Sequence, residues 1–324
     1  MISIIVPNFN KDNYIVQTIN SVVNQSFSDW ELIIVDDQST DNSWGIISDF
    51  VDNNKIFAFK PEVKLYGSGC RNYGLKKSKG EFVIFLDSDD ILTDNCLNVR
   101  FNHFNNSKSS GFLVFPAGTF NKEIGDRNNI WIPEKGNHLK CFLQHNLQWT
   151  ISSVIWKRTT LLKLHGFDES FMRLQDVELH TRALLLKNIN YKIFSDCKPD
   201  FFYRIDDLRT KTSKKIQLVI QLQSVKNYIL KTSEFLTSKP EYKKYLRGTL
   251  FTFITDLCHN YVIGKISKTD FEDLVAKVFE NPKLKTLLGN DCQKYLDYYI
   301  SLYKVGLFKI KGFNYISKKI FICK

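Results

Sequence analysis

The chain has 324 residues, 45 of them Lys or Arg and 34 Asp or Glu, giving a formal charge of +11 with 43% apolar side chains. This is an ordinary globular composition, long enough to bury a full core in one large domain with an appendage or in two medium ones, so stability requires neither disulfides nor structural metals. The basic balance points to an anionic partner, and nucleic acid, membrane and phosphate-bearing substrates all qualify.

Position separates these possibilities. Residues 1–200 hold 22 basic and 23 acidic side chains, a net of −1, whereas residues 201–324 hold 23 and 11, a net of +12. The excess lies in the C-terminal third, which argues against a nucleic-acid partner for the N-terminal part. The seven cysteines are odd in number, scattered and never in a C-x-x-C pair, the pattern of reduced thiols in a cytosolic protein. The apolar run Ile2–Val6 is too short for a signal-peptide core, and no segment approaches the ~18 apolar residues of a membrane span. A cytoplasmic protein is expected.

In chain order, Ile2–Val6 predicts a strand ending in Pro7-Asn8-Phe9-Asn10, followed by a helix with Ile15, Ile19, Val22 and Val23 at helical spacing. Leu32–Val35 predicts a second strand ending in Asp36-Asp37. Asp41-Asn42-Ser43 is a helix-start signal, and Ile56–Phe59 returns as a third strand. Phe82–Leu86 is a fourth, running into Asp87-Ser88-Asp89-Asp90. Continuous apolar strands alternating with amphipathic helices imply an α/β domain with a mostly parallel sheet covered on both faces, binding ligands beyond the carboxyl ends of its strands. Phe112–Phe115 and Thr150–Trp156 predict strands and Gln175–Lys187 a helix. Beyond about residue 210, Leu218/Leu222/Val225/Ile229, Leu246/Leu250/Ile254/Leu257 and Phe271/Leu274/Val278 predict a helical appendage. The expected division is residues 1–210 and 211–324.

Three strand ends thus finish in polar or acidic groups on one edge. A single strand-ending Asp serves equally well as a helix cap. Asp87, Asp89 and Asp90 are different, because three carboxylates in four residues repel one another unless a cation neutralises them. Oxygen ligands without nearby Cys or His favour Mg²⁺ or Mn²⁺, whose shell is commonly completed by substrate phosphates.

Taken together, Ile4–Asn10, Asn24-Gln25-Ser26-Phe27, Glu31–Asp41, and Gly80-Glu81-Phe82 leading into Leu86–Asp90 resemble a family 2 glycosyltransferase of the GT-A fold over roughly residues 1–205. The resemblance implies that Pro7, Phe9 and Asp37 hold the nucleotide base, with Asp37 accepting from a uracil imide. It implies that Asp87 and Asp89 are the D-x-D pair that binds a divalent ion (Mn or Mg) and the diphosphate, with Ser88 between them and Asp90 an adjacent candidate. Arg71, in Gly67–Gly74, falls where an Arg contacts the donor. Two positions depart from the family pattern: Gln38 stands where Gly is frequent, and Phe9 where Tyr is usual. Gly166-Phe167-Asp168-Glu169, then Leu174-Gln175-Asp176-Val177-Glu178, is similar to the family's acidic motif and places the general base on Asp176, with Gln175 replacing the usual preceding acid.

His145, His165 and His180 are not expected to serve as ligands. Trp149 and Trp156 suit core packing, with an acceptor-lining role for one of them as the alternative. Tyr203-Arg204 offers a cation that could reach a donor phosphate. The implied function is inverting, metal-assisted transfer of a hexose or N-acetylhexosamine from a UDP-sugar to a hydroxyl of a surface glycan or lipid-linked acceptor. A nucleotidyltransferase acting on a sugar phosphate and a non-enzymatic anion- or membrane-binding protein are the alternatives. Residues 304–324 carry six lysines and no acid. Phe313, Ile316 and Ile320 share one helical face, so either a peripheral membrane helix or a core-packing helix with a basic outer face is expected there.

Overall fold

The computed structural model describes residues 1–52, 54–205, 213–289 and 291–323. The four apolar runs of the first ninety residues become β1 (Ile2–Asn8), β2 (Trp30–Asp36), β3 (Ile56–Phe59) and β4 (Phe82–Phe85), with α1 (Ile15–Val23), α2 (Ser43–Asp49) and α3 (Tyr66–Lys77) between them. There follow β5 (Ile91–Leu92), α4 (Cys96–Asn105), β6 (Ser110–Val114), β7 (Ala117–Phe120), β8 (Ile130–Trp131), α5 (His138–Leu143), β9 (Val154–Lys157), α6 (Arg158–Lys163), α7 (Gln175–Leu185), β10 (Asn190–Ile193) and β11 (Phe201–Arg204). From Lys214 the described chain is helical: α8 (Lys214–Phe235), α9 (Arg247–Val262), α10 (Lys268–Val278), α11 (Pro282–Leu288), α12 (Asp291–Lys304) and α13 (Phe313–Cys323), joined in part by 3₁₀ turns.

Seven strands form the main sheet in the order β10-β6-β9-β4-β1-β2-β3. Its pairs are parallel except those made by β9, which runs antiparallel to β4 and β6. The stretch expected as a strand from Thr150 begins later, because Ile151–Ser153 closes a 3₁₀ turn first. A smaller sheet, β5-β11-β7-β8, stands beside it.

Two compact units result. The first comprises Met1–Gly136, Gln148–Ser170 and the strands after Leu186; the second adds Asn137–Leu147 and Phe171–Leu185 to the C-terminal helices. Thus α5 and α7 pack with the helical part, where Thr181 Oγ1 meets Tyr228 Oη at 2.7 Å and Thr249 Oγ1 donates to the Leu143 carbonyl at 2.9 Å. The expected 210/211 boundary lies outside the described residues.

In the first unit, α3 lies so close to β1 that a Cβ on Gly74 would meet Ile5 Cγ2 at 2.4 Å. The two sheets are tied by a buried ion pair. Arg100 on α4 donates from Nε and Nη2 to the two Asp200 oxygens at 2.8 and 2.7 Å, and from Nη1 to the Ser152 carbonyl at 2.9 Å. Arg100 is fully buried, so removing its counter-ion strands a charge in the core, at a cost of about 3–5 kcal/mol. Asp200→Ala is therefore expected to lower the urea midpoint by an amount corresponding to at least ~3 kcal/mol, and an unchanged midpoint would exclude this role.

Candidate active site

The neighbouring parallel strands β4, β1 and β2 end on one edge, bringing together the Pro7–Asn10, Asp36-Asp37 and Asp87–Asp90 segments. Pro7 is tolerated on an interior strand for a local reason. The Ile5 carbonyl accepts from Leu86 N–H at 3.0 Å, so Pro7, two residues on, turns its missing N–H to the same side, where β4 has already ended. The next residues leave the sheet, and the ring of Phe9 is 41% exposed with Lys64 Nζ 3.3 Å from its centroid.

The two acids after β2 have different tasks. Asp36 is fully buried and accepts from Asn8 Nδ2 at 2.8 Å, Ser39 N–H at 3.0 Å and Ser39 Oγ at 2.6 Å, with Lys60 Nζ at 3.6 Å. Asp37 accepts from the backbone N–H groups of Leu65 and Tyr66 at 2.6 and 3.0 Å, so it holds the start of α3. The capping role that any strand-ending Asp can play is thus present at Asp37. A carboxylate has about four lone-pair sites, so capping leaves acceptor capacity over. Burial and the Asp37 carboxylate push the adjacent Cys70 thiol up, which keeps it neutral.

Between these acids, Gln38 has φ +61 and its side-chain amide donates to the Pro61 carbonyl. Glycine adopts this left-handed backbone freely, and a residue with a Cβ gives up roughly 1 kcal/mol there.

Beyond β4, each acid meets a different cation or donor. Arg71 Nη2 donates to Asp87 Oδ1 at 2.5 Å, and its guanidinium lies 5.5 Å from the Phe167 ring. Lys11 Nζ donates to Asp89 Oδ2 at 2.7 Å. Asp90 is buried and accepts from Arg204 N–H at 3.0 Å, while Ser88 is buried between the D-x-D carboxylates. Two protein cations and a backbone N–H thus partner the three acids in the protein alone.

Arg204 is a brace. Buried, it donates to the Asp89 carbonyl, the Asn121 carbonyl and Gln17 Oε1 at 2.8, 2.8 and 2.5 Å, and lies over the Phe120 and Tyr14 rings. Reaching a donor phosphate would break that network, so the expected phosphate contact is corrected to a structural role. Trp149 and Trp156 are likewise core residues, 1% and 0% exposed and packed around Phe112, which removes them as acceptor-lining candidates. His180 is buried against the Phe142 ring, and burial pulls its pKa down to about 3.

Sequence reading missed Lys11, Lys60, Lys64 and Asn72. Asn72 donates from Nδ2 to the Phe167 carbonyl and Glu169 Oε1 at 2.9 and 2.8 Å and accepts from Phe167 N–H at 2.8 Å. It therefore locks the Gly166–Glu169 segment onto α3, where Gly166 has φ +67 and no room for a Cβ beside Asn72. Its position next to Arg71 was the available signal. Asp176 stands in the first turn of α7, half-buried, accepting from Val177 N–H at 2.9 Å. It belongs to the second unit, and Asp37, Arg71, Asp87 and Asp89 belong to the first.

A family model for glycosyl transferase family 2 matches residues 3–169, just over half of the chain. The chain belongs to that family. An uncharacterized glycosyltransferase of Haemophilus influenzae is 40% identical over 202 residues, covering 61% of this chain and 71% of that one. The poly(ribitol-phosphate) beta-N-acetylglucosaminyltransferase TarP of Staphylococcus aureus is 33% identical over 202 residues, covering 60% of each chain, so the match spans less than two thirds of TarP. Among solved structures, S. aureus TarS 1–349 in complex with UDP-GlcNAc superposes with a TM-score of 0.65 at 18% identity over 94% of this chain and 88% of that one. At that identity the likeness shows the fold: a GT-A-type mixed sheet flanked by helices, with a helical C-terminal part.

The acids after β4 can be tested as a metal site for this family 2 enzyme. Among the described residues no three His, Cys, Asp or Glu side chains converge to hold an ion by themselves. Asp87 and Asp89 nevertheless supply hard oxygen donors of the kind that hold Mg²⁺ or Mn²⁺ when phosphate oxygens complete the shell. The residues fit a substrate-completed site and do not fit an all-protein cage. Without added metal, Lys11 supplies the compensating charge at Asp89. Lys11→Ala is therefore expected to cost about 1–3 kcal/mol in EDTA, measured by thermal melting, and equal melting of variant and parent would exclude the pairing.

Proposed function

We propose that residues 1–210 form the catalytic part of an inverting transferase that moves a hexose or N-acetylhexosamine from a UDP-sugar to a hydroxyl of a growing surface glycan or lipid-linked acceptor. The observation that carries this reading is the gathering of Asp37, Arg71, Asp87 and Asp89 around α3 and the carboxyl edge of β4, β1 and β2. UDP-GlcNAc in the TarS complex and the acetylglucosaminyl transfer named for TarP support the donor class.

In this reading Asp37 accepts from the base imide while keeping α3 in place. Phe9, half-exposed with Pro7 behind it, offers a face to the ring. Asp87, Asp89 and the intervening Ser88 mark the diphosphate position. When bound there, Mg²⁺ or Mn²⁺ on Asp87 and Asp89 would supply charge neutralisation for the departing nucleoside diphosphate. Arg71 and Lys11, now paired with those carboxylates, are the cations available to the phosphates when the acids turn to other partners. Asp176 takes the proton from the acceptor hydroxyl as it attacks the face opposite the diphosphate, which inverts the anomeric centre. Asp176→Asn is expected to lower UDP-hexose turnover by at least ~100-fold with UDP affinity unchanged; near-parent transfer would remove the base assignment.

Residues 211–324 are proposed to contact the membrane that carries the acceptor. Among the described residues no helix is long and apolar enough to cross a membrane. The last helix supports this reading in part of its surface: Phe321 packs on Phe251 and Tyr295, while Ile316 and Ile320 are 57% and 43% exposed. Lys309, Lys311 and Lys319 are exposed beside them, whereas Lys318 points into the fold. Lys324 lies outside the described residues. Cutting the chain at Lys304 would remove core residues, so the informative variant is Ile316→Glu with Ile320→Glu. It is expected to abolish flotation with phosphatidylglycerol vesicles at unchanged melting temperature, and undiminished flotation would refute membrane contact through this helix.

A further inference from the structure

A cavity of about 470 Å³ opens in the second unit among α9, α12 and α13, and none of the donor-edge residues lines it. Its polar groups are graded along α9. At one end Lys318 Nζ donates to Thr252 Oγ1 at 2.8 Å. Asp256 and His259 stand one and two turns further on, and seven residues of helix span about 10 Å. The buried rings of Phe251 and Tyr303 lie on its wall.

These groups are held without a ligand. Asn260 Nδ2 donates to Asp256 Oδ1 at 2.9 Å, and Tyr299 Oη, 3.0 Å from Thr255 Oγ1, donates to Asn314 Oδ1 at 2.9 Å. Fixed polar groups over aromatic faces, at a span of about 10 Å, match a sugar or short polyol, whose C–H faces stack on rings and whose hydroxyls need directed partners.

Lys318 decides the charge of the ligand. Its amine is drawn into the fold, where burial pulls its pKa down to about 8, and among the described residues it has no carboxylate within 4 Å. A desolvated ammonium without a counter-ion is unfavourable, and an anion entering from the cavity would offset that cost. One turn along, Asp256, with Lys214 Nζ 3.9 Å from its Oδ2, suits hydroxyl donors.

We propose that this cavity binds an anionic carbohydrate, a sugar or polyol unit bearing a phosphate or a carboxylate, with the acidic group on Lys318 and hydroxyls on Asp256 and His259. Binding here requires no group of the transfer reaction, so failure of this proposal would leave the proposed transfer activity standing, and the reverse also holds.

Isothermal titration of the full chain with glucose 1-phosphate, glucuronate and glucose, with and without saturating UDP, tests the site. Both acidic probes are expected to bind at least about tenfold more tightly than glucose whether or not UDP is present. Lys318→Met is expected to abolish that preference, and Asp256→Asn to weaken all three probes severalfold, with UDP affinity unchanged in both variants. The stronger of the two acidic probes identifies phosphate or carboxylate as the group recognised. Should the Met variant fail to fold by circular dichroism, Thr252→Val, which releases the amine, is expected to reduce the preference instead. Equal binding of acidic and neutral probes, loss of binding when UDP is added, or unchanged preference in a folded Lys318→Met protein would overturn the proposal.

Discussion

Five carboxylates, Asp36, Asp37, Asp87, Asp89 and Asp90, crowd the carboxyl edge of three adjacent strands, and the first unit is arranged around giving each of them a donor or a cation. Two unit charges at about 5 Å repel by roughly 3 kcal/mol at an effective dielectric of 20. Each acid has its own compensation: Ser39, Asn8 and Lys60 for Asp36, the opening N–H groups of α3 for Asp37, Arg71 for Asp87, Lys11 for Asp89 and the Arg204 backbone for Asp90. The position of α3 follows from this arrangement. Its first turn is held by Asp37, its Arg71 reaches Asp87, its Asn72 locks the Gly166 loop, and its Gly74 lets it approach β1.

That charge balance has a functional corollary. A group engaged only within the fold, such as Asp36 or Arg204, is buried and saturated by several partners, and moving it would break the scaffold. Lys11 on Asp89 and Arg71 on Asp87 are ion pairs nearer the solvent, and the Asp87 side chain is 35% exposed. An ion pair with one partly solvated member can exchange partners without opening the core, which the Asp36 and Arg204 networks cannot. The same edge therefore holds rigid charges behind exchangeable ones, which is the division a site needs if it is to accept a polyanionic leaving group without losing its shape.

How far the sequence revealed this depended on the range of each interaction. Strands β1 to β4 were legible because burial on both faces leaves continuous β-branched runs, and their acidic ends were legible because the residues are contiguous. Lys11 and Asp89 are 78 positions apart, Arg100 and Asp200 100 apart, and no local pattern announces such pairs. Trp149 and Trp156 are the core residues expected of them, although an aromatic beside a strand looks the same in sequence whether it faces solvent or Phe112. The left-handed backbone at Gln38 has no local sequence signal, because glutamine is not a residue that marks it. Strand β9 was recognised as apolar, but its antiparallel direction depends on where the chain returns through α5 and the 3₁₀ turn.

The C-terminal charge shows the same limit. A net of +12 over residues 201–324 reads as one basic patch, yet the lysines serve different ends. Lys318 is turned inward to Thr252, Lys304 covers the Tyr261 and Phe271 rings, and Lys215 pairs with Asp270, while Lys309, Lys311 and Lys319 face water near exposed Ile316 and Ile320. Net charge sets the long-range field that draws an anion towards this region. The contact itself is selected by desolvation, and a half-buried ammonium such as Lys318, held by Thr252, has more to gain from an anion than one already surrounded by water.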